Sequence, residues 1–249
     1  MRGGATSTRA EPRREAPIAW VRLDENTTST DPSVRALREA LEAAASPEKA
    51  PEMARYLRNR FEFLGLSAPE RRAAQSEFVK TAVAQEPQRS LALAHALWEE
   101  PEREFQYVAC DLLRRISERL EPGDLHHIRS LVTARSWWDT VDSLARVVGD
   151  MVRTHPALSA EMDRWIRDDD MWVVRVAILH QLGWKEQARP EVVFRYCAQQ
   201  ADHPDFFVRK AIGWALRDLA RAYPHEVWAW VDAHPELSGL SRREATKHR

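Results

Sequence analysis

Cysteine is nearly missing from this chain: Cys110 and Cys197 are the two in 249 residues. Each lies inside an apolar-periodic segment, which excludes a disulfide framework and makes both small buried hydrophobes. Glycine is also scarce, eight in all, and none forms a phosphate-cradling loop. The nine histidines include no H-E-x-x-H pair and no Cys/His cluster at ligand spacing, so neither a metal nor a cofactor is expected. No apolar run approaches the roughly 18 residues that cross a bilayer, and the N-terminus lacks the apolar core of a secretory signal. The expectation is a cytoplasmic protein with no membrane partner. Net charge is small as well. Lys plus Arg number 37 against 38 Asp plus Glu, which excludes a wholesale polycation and leaves room for a basic groove on one face.

What the chain does contain is helical pattern. Its 44% hydrophobic and 30% charged content is ordinary for a soluble protein, and the length suits one large domain or one elongated array. Residues 1–31, rich in Arg, Glu, Pro, Ser and Thr, read as a flexible N-terminal extension; residues 32–249 form the folded domain. There, apolar residues recur at helical spacing between Pro and Asp/Ser punctuation. The spacing predicts helices near 33–45, 48–61, 69–84, 88–99, 102–119, 123–134, 137–154, 157–167, 170–183, 190–200, 205–222, 225–233 and 241–248, and no strand.

A period runs through the string. Ala109, Ser143, Ala177 and Ala211 are 34 residues apart, and the segments Glu104–Ala109, Asp170–Ile178 and Asp205–Ile212 look like copies of one helix start. A small residue recurring in every second helix is the mark of a stacked repeat. The fold class is therefore all-α, a curved superhelical array of HEAT-like helix pairs, in which the second helix of each pair lines the concave face. Trp138, Asp142, Arg175 and Trp214 all fall near the recurring small positions, so the repeat brings them toward one groove.

The segment Ser136-Trp137-Trp138-Asp139-Thr140-Val141-Asp142 carries the chemistry. Trp138 and Asp142, four apart, share a helix face and set a π surface beside a negative charge. Breaking a glycosidic bond builds positive charge on the sugar. A carboxylate about 4 Å away stabilises that charge by about 4 kcal/mol at an effective dielectric near 20, on the order of a thousandfold in rate. Indole faces at Trp138 and Trp214 favour cationic character, Asp142 can orient the attacking water, and Arg175 suits a phosphate. Ordinary glycoside hydrolysis needs a second carboxyl group as acid. A purine alkylated at N3 or N7 does not, because it already carries positive charge and leaves neutral. Asp139, nearer the helix start, is explained by the helix dipole and stays outside the catalytic set.

From about Val34 to the end, the chain resembles the AlkD family of bacterial DNA alkylation-repair glycosylases. The residues that carry the likeness are Pro47-Glu48-Lys49-Ala50 with Met53-Ala54-Arg55-Tyr56, Ala68-Pro69-Glu70-Arg71-Arg72, Pro101 to Gln106 and Ser136 to Asp142. Further on come Arg175 with Ala177-Ile178-Leu179, Phe206-Phe207, Lys210 to Trp214, and Leu240-Ser241 with Arg243-Glu244-Ala245 and Lys247-His248. The resemblance implies a HEAT-like monofunctional DNA glycosylase that hydrolyses N3- or N7-alkylpurine nucleosides in duplex DNA. It implies Asp142, Trp138 and Trp214 as catalytic cradle, and Arg175 and Tyr56 as DNA contacts. It also implies that the lesion stays stacked instead of being extruded. The departure from the family pattern is the segment before about residue 32.

Arg209 and Lys210 join the expected DNA-binding set as repeated surface cations; Arg114, Arg115, Arg146, Arg153, Arg242, Arg243 and Lys247 are further candidates for the same surface. Trp98, Trp165, Trp172, Trp184, Trp228 and Trp230 are expected to be structural, as is His180. The partner implied is alkylated double-stranded DNA, bound by a monomer that is nucleoid-associated while engaged. Two readings of another kind remain open: a noncatalytic repeat module that grips DNA or protein, and a self-resistance glycosylase for bulky adducts. Asp142→Asn is expected to keep fold and duplex binding while slowing excision.

Overall fold

The computed structural model describes residues 31–249. Of the extension read at 1–31, all but Asp31 lies outside the described residues. Asp31 belongs to the fold: its carboxylate caps the first helix by accepting from Ser33 N–H at 2.8 Å and pairs with Arg89 at 2.6 Å.

Fourteen α-helices follow among the described residues: α1 Pro32–Ala43, α2 Ala50–Tyr56, α3 Ala68–Ala74, α4 Ser76–Val83, α5 Pro87–Glu99, α6 Arg103–Ile116, α7 Leu125–Thr133, α8 Trp138–Thr154, α9 Ser159–Trp165, α10 Met171–Leu179, α11 Pro190–Gln199, α12 Phe206–Leu219, α13 Pro224–Ala233 and α14 Gly239–Ala245. A single bridge between Glu62 and Glu102 is the one β-like pairing in that region. Local chemistry sets the starts. Proline opens α1, α5, α11 and α13, where its missing N–H has no partner to lose. Asp170, Asp205 and Ser238 cap α10, α12 and α14 through their side chains.

Two predicted helices come out differently. The span read as 69–84 divides at Gln75, the last cap of α3 and the first of α4. There Arg71 and Gln75 are both drawn onto the Asp111 carboxylate of α6, at 3.0 and 2.7 Å. The span read as 48–61 stops at Tyr56, because Arg58 and Asn59 adopt left-handed backbone with φ of 58° and 54°.

The helices form two layers. Even-numbered helices from α4 to α14 pack in sequence, each against the next, and the odd-numbered helices cover their outer side. The recurring small residues sit in that seam: Ala109, Ala177 and Ala211 are fully buried, and Ser143 is half-buried. At Gly149 the approach is closest, since a Cβ there would lie 1.9 Å from the His180 carbonyl oxygen. Leu112, Leu144, Val148 and Val176 line the same interior with no exposure; each such side chain contributes about 1.5–3 kcal/mol. Cys110, Cys197, Trp98, Trp165, Trp172 and Trp184 are buried as expected, and Trp228 and Trp230 pack against the core from half-buried positions.

Polar rungs repeat with the same period. Trp98 Nε1 donates to the Ala134 carbonyl at 2.9 Å, Arg103 Nη1 to Arg135 at 3.0 Å, and Gln200 Nε2 to Ile166 at 2.5 Å. Each spans one repeat and satisfies a carbonyl at or near a helix end, which would otherwise cost about 1–3 kcal/mol if buried unpaired. His180 belongs to this interior. It is buried, its Nδ1 lies 2.7 Å from the Ala177 carbonyl oxygen, and burial pushes its imidazole down to about 4.

Candidate active site

Trp137 caps α8 with extended backbone, so the helix begins at Trp138 and turns Trp138 and Asp142 onto one face. Trp138 is half-buried, and its exposed side meets the ring of Tyr56 edge-on at 5.8 Å. Tyr56 itself is 72% exposed, the most open large hydrophobic side chain among the described residues. Asp142 sits one turn deeper, with its side chain 14% exposed.

Asp142 and Arg175 form a bidentate pair. Arg175 Nε donates to one carboxylate oxygen at 2.7 Å and Nη2 to the other at 2.9 Å, while Nη1 donates to the Phe207 carbonyl at 2.5 Å. The guanidinium is thus used on three sides, and Arg175 as a whole is 3% exposed. It is placed beside the carboxylate and steadies it, which the expectation of a free phosphate contact did not include. Burial raises the Asp142 carboxyl above the usual aspartate range, opposed first by the Arg175 hydrogen bonds. Both oxygens keep further lone pairs for a water or a developing cation.

Trp214 is half-buried on α12, packed against the core. Tyr56, and not Trp214, is the ring in contact with Trp138. Arg209 directs Nε to the His203 carbonyl at 2.7 Å. Lys210 is exposed, lies 3.6 Å from Glu244 and sits 5.9 Å over the Phe206 ring. Phe206 is half-exposed and continues the aromatic rim through Phe207 to the buried Trp137.

Two residues on this rim gave no sequence signal. The left-handed turn after α2 carries Arg58 and Arg60 over Trp137, with guanidinium carbons 5.8 and 4.3 Å from the ring centre. Neither has a carboxylate within ion-pair distance among the described residues. Two consecutive non-glycine residues in that conformation store on the order of 1–3 kcal/mol each, which is typical of a turn held for what it presents.

Asp139 is a different carboxylate. Arg103, with no exposure, grips it through Nε and Nη2 at 3.0 and 2.7 Å, and the Tyr107 hydroxyl donates to it at 2.7 Å. All its directions face inward. Two carboxylates three residues apart therefore have different settings, one locked in the α6–α8 seam and one paired with Arg175 of α10.

A two-layer helical-repeat array that carries an arginine-steadied carboxylate and an aromatic rim defines a class of helical-repeat protein. The chain belongs to the DNA alkylation repair enzyme family, whose profile matches residues 37–248, and its place is among the enzymes of DNA repair. A solved structure described as a predicted DNA alkylation repair enzyme from Enterococcus faecalis is similar at 29% identity and a TM-score of 0.77, over 82% of this chain and 96% of that one. AlkD2 from Streptococcus mutans, at 18% identity and a TM-score of 0.57, shares the fold over 70% of this chain and 89% of its own. The protein smu.31 of Streptococcus mutans UA159 gives the same identity and score, over 70% and 92%. No curated protein sequence matches the chain.

Proposed function

We propose that the protein is a monofunctional DNA glycosylase that hydrolyses the N-glycosidic bond of cationic N3- or N7-alkylated purines in duplex DNA. The observation that carries this reading is the Asp142–Arg175 pair, a partly buried carboxylate fixed at both oxygens one helical turn from Trp138. As the C1′–N bond breaks, its electron pair goes to the alkylpurine, which leaves neutral, and positive charge builds on the sugar. Asp142 offsets that charge. Water adds to C1′ and loses a proton to Asp142 or solvent, leaving an abasic site. The proposed cradle of Asp142, Trp138 and Trp214 includes no lysine to form a Schiff base, so strand cleavage is not part of the proposed reaction.

Trp138 and Trp214 shape the site for the lesion nucleotide, and Tyr56 meets the duplex from its exposed position on α2. Arg209, Lys210 and Arg175 serve the backbone. For Arg175 this means competition: a phosphate that draws the guanidinium aside strips Asp142 of its counter-charge just where a cation is forming. The reaction needs no metal or cofactor, and one chain is sufficient.

The test is direct. Purified protein is incubated with methylated duplex DNA in the absence of metal and cofactor, and free methylpurine and abasic sites are measured. Release of 7-methylguanine or 3-methyladenine with equal numbers of abasic sites is expected. Tight duplex binding with no base released from methyl or bulky adducts would leave a noncatalytic binder.

A further inference from the structure

The row of even-numbered helices has an open start. Each helix from α6 to α12 is flanked on both sides by a neighbour in the row, whereas α4, the first of it, has α6 on one side only among the described residues. A groove of about 290 Å³ runs there between α1, α4 and α5, lined by Ala36, Leu37 and Ala40 of α1, Phe78 and Ala82 of α4 and Leu93 of α5. Glu77 is the one charged residue on its wall, and its contact with Lys80 is loose at 3.9 Å. Phe78 is left half-buried. The end of a stacked array exposes the face that another repeat would cover, and such arrays close it with a capping element.

The chain itself carries a segment suited to that place. Residues 1–30 hold four large apolar side chains besides Met1, and all four fall together: Ile18, Trp20, Val21 and Leu23. A purely solvated tail has no use for such a cluster. Between it and Asp31 lie seven polar residues, Asp24 to Thr30, which span at most about 25 Å. Asp31 is fastened beside the groove: it caps α1, pairs with Arg89 of α5 at 2.6 Å, and stands two residues before Ser33 on the groove wall. From Ser33 to Ala40, α1 is about 10 Å long, so the linker reaches the whole groove. A tether this short keeps the segment at an effective concentration on the order of millimolar, so it outcompetes the same segment of a second copy at micromolar protein. Arg22, the single charge within 18–23, is opposite in sign to Glu77. We propose that residues 18–23 dock in the groove between α1 and α4 and cap the first repeat.

The experiment measures amide hydrogen exchange in the full-length wild type and in two full-length variants. Trp20→Ser/Val21→Ser alters the segment and leaves every groove residue in place. Ala36→Glu puts a charge on an exposed position of the groove wall. Amides of residues 18–23 should exchange about tenfold or more slowly in wild type than in Ala36→Glu. Amides of α4 should be slower in wild type than in Trp20→Ser/Val21→Ser, while those of α8 and α10 keep one rate in all three proteins. Equal exchange of residues 18–23 in wild type and Ala36→Glu would overturn the proposal, as would α4 amides indifferent to the segment variant. So would protection that vanishes on about hundredfold dilution, the mark of a second copy as the occupant. Exchange is read in DNA-free protein, so the outcome is independent of whether any base is released.

Discussion

Asp142→Asn separates chemistry from packing, because it keeps the shape of the side chain and removes its charge. Two magnitudes follow from the geometry. An oxocarbenium carbon about 4 Å from the carboxylate gains about 4 kcal/mol at an effective dielectric near 20, but a guanidinium roughly 8 Å from the same carbon returns about 2. Asp142→Asn removes the attraction and leaves the repulsion of Arg175 unchanged, so the loss is about 4 kcal/mol whether or not a phosphate draws Arg175 aside. Single-turnover release of 7-methylguanine should therefore fall about a thousandfold. Stability falls too, because the neutral amide leaves Arg175, at 3% exposed, without a counter-charge. One-sided loss of a buried pair costs about 3–5 kcal/mol. The low end applies, since the amide oxygen and the Phe207 carbonyl still accept, which predicts a melting temperature about 6–12 °C lower. Asp142→Asn/Arg175→Gln removes both charges and should recover most of that stability without recovering excision. Wild-type excision by folded Asp142→Asn protein would refute the role given to this carboxylate.

Four further outcomes are expected. Excision should fall as pH drops through the raised pKa of Asp142, because the protonated carboxyl offers the cation nothing; rates measured against pH in wild type and Asp142→Asn check this, the variant lacking that acid limb. His180, held down to about 4 from 6.5, stays neutral when folded, so it supports stability above pH 6.5 and loses about 3 kcal/mol as pH falls toward 4; urea melts at pH 7 and 4.5 read this out against His180→Gln. Gly149→Ala places a methyl 1.9 Å from the His180 carbonyl and should destabilise the α8–α10 seam by about 1–3 kcal/mol or more in thermal melts. Asp139→Asn strands the buried Arg103 and Tyr107 and should cost about 3–5 kcal/mol, while excision per folded molecule at low temperature stays near wild type.

Helix content was legible because period and punctuation are local, and so was the stack, because the small residues at 109, 177 and 211 needed a seam in which to be buried. The proximity of Asp142 and Arg175 followed from the 34-residue period. Their direct pairing did not, since a register of positions says which helices are neighbours and not which way a guanidinium folds. The breaks at Gln75 and Arg58 were invisible for a related reason: each is settled by a tertiary partner or a backbone strain that no residue type announces. Asp139 was placed outside the chemistry for a sound but incomplete reason. It does lie in the first turn of α8, yet what confines it is Arg103, a cation that composition alone would put in water.

The period-long hydrogen bonds described above also bear on how such a molecule fails. Because a side chain from one repeat is fastened to the carbonyl of the next, as in Trp98 to Ala134 and Gln200 to Ile166, adding or deleting a residue between them shifts every downstream fastening at once. The spacing between helices thus acts as a ruler whose marks cannot be moved singly, and viable length changes should cluster in the outer turns or arrive as whole repeats.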